Sequence, residues 1–65
     1  MVKDYIKKYQ DLVDYFLIDY NGKETIVASE DAEFMAEWML ELGVEHCGFN
    51  IERDICILIL EDEGE

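Results

Sequence analysis

Sixty-five residues form one domain at most, with a thin core that supplies only a few kcal/mol of net stability. Half of the chain is hydrophobic, with eight aromatic residues, which excludes a disordered acidic tail. Seventeen acidic residues against five basic ones give a net charge of −12, so the surface repels nucleic acid and anionic membranes and attracts basic proteins.

The charge is uneven along the chain. Lys3, Lys7 and Lys8 fall in the first eight residues beside a single acid, Asp4, which leaves sixteen acids against Lys23 and Arg53 in the rest. The N-terminal stretch MVKDYIKKYQ lacks the apolar stretch of a signal peptide, and a cytoplasmic location is expected. Tyr5, Ile6, Tyr9, Leu12 and Val13 recur at helical spacing and predict a short amphipathic helix over 3–13.

Two β-rich runs follow, DYFLIDY and ETIVAS, on either side of Asn21-Gly22. Both turn residues tolerate the positive φ of a type I′ turn, so a hairpin is predicted with strands at 15–20 and 24–28.

The segment SEDAEFMAEWMLELGV predicts one long helix over 30–42. Ser29 is its expected N-cap. Glu30, Asp31 and Glu33 suit the positive end of the helix dipole. Gly43 is the expected left-handed residue past the C-terminus, with Val44 as the following hydrophobic contact.

VEHCGFN and DICILILE are two further strands around a turn near Glu52-Arg53. Ile55 to Leu60 is apolar on both faces, as a central strand is. At six residues it is also the longest apolar run, far below the roughly 20 residues that a membrane span needs.

The predicted fold class is α+β: a small antiparallel four-stranded sheet of two hairpins, one long helix packed on one face, and a short N-terminal helix, in the order α-β-β-α-β-β. The chain is one acidic domain over 1–65 with an acidic C-terminal tail at 61–65. The second sheet face is expected to be covered by the first helix or, failing that, by a second copy or a partner.

Catalytic groups are scarce. His46, Ser29 and Thr25 are each the sole residue of their type. His46 and Cys47 are strand neighbours that point to opposite faces. Cys56 with His46 stays geometrically open, without a nucleophile signature around it. Cys47 and Cys56 form no zinc framework, and two buried, reduced thiols are expected. DYNGKE places its glycine too early for a calcium loop. No cofactor or metal is expected, and no enzyme activity.

On a wheel of about 100° per residue, Glu30, Glu33, Glu37 and Glu41 fall within an arc of about 80°. Trp38, Leu42, Met35, Met39 and Ala32 make the expected buried face. Phe34 and Leu40 flank the acids. Like charges at i,i+4 cost roughly 0.2–0.5 kcal/mol a pair, where a Glu-Lys pair would gain as much. Such a stripe is either a solvated face or a row of charge presented to the Arg and Lys side chains that clamp a phosphate backbone. Glu30, Glu33, Glu37, Glu41, Phe34 and Leu40 are therefore the candidate partner-binding residues.

In size and charge the chain is similar to small phage-encoded inhibitors of bacterial defence, anti-CRISPR and anti-restriction proteins among them, a likeness of composition carried by no motif. That likeness and the stripe together predict a non-enzymatic inhibitor that blocks a basic nucleic-acid-binding surface of a host protein, in the host cytoplasm if the chain is phage-encoded, with nucleic-acid mimicry as one way of doing so. The alternative is a small homodimeric interaction module whose acidity serves solubility. Neither reading includes direct binding to nucleic acid or membrane.

Overall fold

A computed structural model describes residues 1–61. The elements run α1 (Val2–Tyr9), β1 (Tyr15–Tyr20), β2 (Lys23–Ala28), α2 (Ser29–Ala32), α3 (Glu37–Leu40), β3 (Val44–Asn50) and β4 (Ile55–Leu60). Residues 62–65 of the expected acidic tail lie outside the described residues.

Both hairpins form where the turn chemistry places them. Asn21 and Gly22 have φ of 55° and 79°, and Tyr20 pairs directly with Lys23, as a two-residue type I′ turn requires. Asp54 takes the left-handed conformation at the second turn, with φ 56°.

The way the hairpins join corrects the expectation of an antiparallel sheet. Strand order is β2-β1-β4-β3, and β1 runs parallel to β4, with Phe16 level with Cys56 and Ile18 level with Leu58. This arrangement centres the two most apolar strands and leaves KETIVA and VEHCGFN as the edges. It also follows from the connection: the chain leaves the end of β2 and returns to the start of β3 through a crossing long enough to set those strands parallel.

That crossing is not one long helix. Two four-residue helices, α2 and α3, replace the helix expected over 30–42. Phe34 and Met35 donate only to carbonyls three residues back, Asp31 and Ala32. Ala36 is then extended, with ψ 139°, and caps a new helix. A continuous helix would stack Glu33 over Glu37, a like-charge pair that works against an unbroken helix.

Side chains alternate across the sheet, and one face carries the core. Phe16, Ile18, Cys56, Leu58 and Leu60 are buried there against Val2 and Ile6 of α1 and Ala32 of α2. Helix α1 packs on this same face. Its start is tied to the end of the crossing by Val2 N–H donating to the Leu42 carbonyl at 2.9 Å. Its last turn meets β3 through Tyr9, whose ring sits edge-on to Phe49 at 4.9 Å. The helix ends at Tyr9, short of the expected 3–13, and Leu12 is left exposed.

The opposite face carries Tyr15, Leu17, Ile26, Ile55, Ile57 and Ile59, with Gly48 and His46 on β3. No described element lies over it, Leu17, Ile57 and Ile59 are only partly buried, and Ile26 is 59 % exposed.

Ser29 and Gly43 depart from their expected roles. Ser29 is buried, and its hydroxyl donates to the Val13 carbonyl at 2.6 Å instead of accepting from the helix N-terminus. Its N–H donates to the Asp14 carbonyl, and its own carbonyl accepts from Gln10. These bonds pin the start of α2 to the α1–β1 loop, which takes the hydroxyl away from capping. Gly43 has no positive φ; the 41–43 turn ends α3 and passes into β3. Ser29→Ala should lower stability by about 1 kcal/mol, a fall in Tm of about 4–8 °C for a domain of this size, read by thermal denaturation. An unchanged melt would show the Val13 bond to be dispensable.

Candidate acidic and aromatic interface

The six residues singled out by the stripe do not share one helical face. Glu30 lies in α2, Glu33 and Phe34 in the turn after it, Glu37 and Leu40 in α3, and Glu41 just beyond. The break divides the stripe into two pairs. All four carboxylates are exposed.

Glu30 and Glu33 meet Asp11 and Asp14 across an open groove of about 560 Å³ between the α1–β1 loop and α2. No basic residue lines it. Glu33 also borders a second groove with Lys3, Lys7, Ile6 and Leu40. Even so, the single ion pair within 4.0 Å among the described residues joins the N-terminal ammonium to Asp4, at 3.3 Å. No other carboxylate among the described residues has a basic nitrogen within 4.0 Å.

Restarting the helix at Glu37 exchanges two side chains, while Met39 and Leu42 keep their expected places against the core. Leu40, expected beside the acids, turns inward and packs against the core next to Ile6. Trp38, expected in the core, is 57 % exposed. Its ring lies 5.9 Å from Tyr20, at the mouth of a shallow groove shared with Ile18, Lys23, Thr25 and Met39. Phe34 is 77 % exposed, as its place beside the acids requires. The crossing segment therefore presents two large aromatic rings, Phe34 and Trp38, interleaved in sequence with Glu33, Glu37 and Glu41. A continuous wheel hides Trp38. No glycine or proline within 30–42 marks the interruption that exposes it.

The cysteine expectation is corrected in part. Cys56 is buried and Cys47 exposed, and both are free. Cys56 faces the helices, whereas His46 pairs with Ile59 on the opposite side of the sheet, so these two side chains are not brought together. Among the described residues no group of three His, Cys, Asp or Glu side chains is placed to hold a metal ion, and no helix is long and apolar enough to cross a membrane.

A net charge of −12 repels a phosphate backbone. Gel shifts with DNA or RNA at low salt, where non-specific binding is strongest, should show no complex. A clear shift would overturn the electrostatic argument.

No family model, curated protein or solved structure matches this chain.

Proposed function

We propose that the protein is a non-enzymatic acidic inhibitor of the anti-defence kind, anti-CRISPR or anti-restriction, whose α2–α3 crossing docks on a basic nucleic-acid-binding surface of a host protein in the cytoplasm. The observation that carries this reading is the pair of exposed rings, Phe34 and Trp38, set among carboxylates that make no ion pair among the described residues. Charge supplies steering and orientation. Two aromatic side chains supply the desolvated anchors that dominate interface energetics. Nucleic-acid mimicry takes a looser form than a straight row of phosphate substitutes, because the break splits the row. The acids Glu30 and Glu33 with Asp11 and Asp14 form one cluster, and Glu37 with Glu41 the other.

The test is capture from bacterial lysate on the immobilised protein, followed by elution with duplex DNA. Release of nucleic-acid-binding proteins by DNA supports the reading. Retention of the captured proteins against excess DNA defeats mimicry, and capture of no nucleic-acid-binding protein defeats the whole reading.

The bare sheet face favours a second reading, a homodimeric interaction module joined through Leu17, Ile26, Ile57 and Ile59, because uncovered apolar patches of that kind commonly mark contact surfaces. In that case the acidity keeps the dimer soluble. The mass in solution by light scattering separates a dimer from a monomer.

A further inference from the structure

Cys47 and Cys56 belong to neighbouring antiparallel strands and sit diagonally across the ladder: Cys47 is level with Leu58, and Cys56 with Phe49. Both therefore point to the helix-bearing face. Their sulfurs are 3.9 Å apart, a contact rather than a bond. Cys47 lies on an edge strand and is exposed, whereas Cys56 is buried in the core. The register of β3 is irregular between Val44 and His46, immediately before Cys47. An edge strand held on one side only, with an irregularity beside the cysteine, can give by the small amount that sulfur–sulfur bonding requires.

We propose that Cys47 and Cys56 are a modification site: a dithiol that closes to an intramolecular disulfide by exchange with a small disulfide of the oxidised-glutathione class, Cys47 attacking and Cys56 resolving. The assignment is independent of any partner at the α2–α3 crossing.

In the first step Cys47 loses its proton to solvent. The thiolate attacks one sulfur of the small disulfide, whose S–S bond breaks, and one small thiolate leaves and is protonated. A mixed disulfide remains on Cys47. In the second step Cys56 gives up its proton and attacks Cys47 Sγ, and the second small thiolate departs. Two protein thiols are oxidised and one small disulfide is reduced to two thiols. The order follows from access, and from acidity as well. Burial, reinforced by the neighbouring Cys47, pushes the Cys56 thiol up to about 12. Cys56 thus holds little thiolate for a first attack on a bulky reagent, and the closing step speeds up as pH rises. The product ties edge strand β3 to β4 and closes a loop of about ten residues.

The full chain is incubated with oxidised glutathione at mildly alkaline pH without denaturant, then examined by intact mass and thermal melting. Wild type should lose two hydrogens, retain no adduct, and melt higher by on the order of 10 °C, reversibly on adding dithiothreitol. Cys56→Ala should accumulate one glutathione on Cys47, and Cys47→Ala should take up none. Wild type alone decides the matter if the buried variant fails to fold. A stop at the single adduct, a disulfide-linked dimer, or an unmodified chain overturns the proposal, as does equal modification of both variants.

Discussion

Phe16→Ala should unfold the protein, whereas Trp38→Ala should leave it folded with a melt lowered by several degrees. Phe16 is fully buried between the helices and the centre of the sheet, level with Cys56 on β4. Removing a buried Phe side chain costs about 3–5 kcal/mol in lost transfer energy and unfilled space. A domain of this length has only a few kcal/mol in hand, so the variant should lose its cooperative transition at room temperature. Trp38 is the larger side chain and the one the sequence pattern buries, yet it is more than half exposed, with its main ring contact to Tyr20. Truncating it gives up one partly exposed aromatic pair, worth about 0.5–1.5 kcal/mol. Circular dichroism and thermal melts of the two variants decide between the two placements. An unfolded Trp38→Ala beside a folded Phe16→Ala would restore the continuous-helix phase.

That reversal shows which kinds of information the sequence holds. Local chemistry was legible. Asn21-Gly22 dictates a tight turn because both residues accept positive φ, and they have it. Ile55 to Leu60 is apolar on both faces, and β4 is a central strand. Phe34 beside the acids reads as exposed, and it is. The relations between distant segments were not legible. Nothing within either hairpin says which strands meet, and β1 beside β4 in parallel is settled by joining the two most apolar strands and by the length of the crossing. The wheel over 30–42 assumes one unbroken helix. Every phase it assigns before the break survives, Ala32 inward and Phe34 outward. After the break Met39 and Leu42 still pack against the core and Glu37 and Glu41 are still exposed, but Leu40 and Trp38 change places. Ser29 shows the same limit on a smaller scale. A capping residue was the correct type for a helix start, but the nearby Val13 carbonyl, sixteen residues away in sequence, takes the hydroxyl.

Lysine at Glu37 and Glu41 should weaken partner binding by about 2 kcal/mol or more, close to thirtyfold in Kd, while leaving the fold intact. Glu37 starts α3 and Glu41 follows its end, on either side of Trp38; both are exposed and make no ion pair among the described residues. Reversing both turns attractions to a basic surface into repulsions, and relieves an i,i+4 like-charge pair only if one is changed at a time. Stability should therefore move by a few tenths of a kcal/mol at most. Wild-type binding should weaken as salt is added, chiefly through the association rate. Phe34→Ala with Trp38→Ala should lose as much affinity or more, since buried aromatic anchors carry the largest share of interface energy, but mainly through the dissociation rate and with little dependence on salt. The control is Glu45→Lys with Glu52→Lys, the same change in charge on β3 and its turn, both exposed and outside the α2–α3 segment. Binding kinetics against the captured partner, measured at several salt concentrations, separate three outcomes. Loss confined to the α3 and aromatic variants places the epitope on the crossing. Equal loss in the control means that net charge alone is recognised. Full affinity in all three variants makes the carboxylates a solvated face, moves the contact surface to the bare side of the sheet, and ends the inhibitor reading proposed for the crossing.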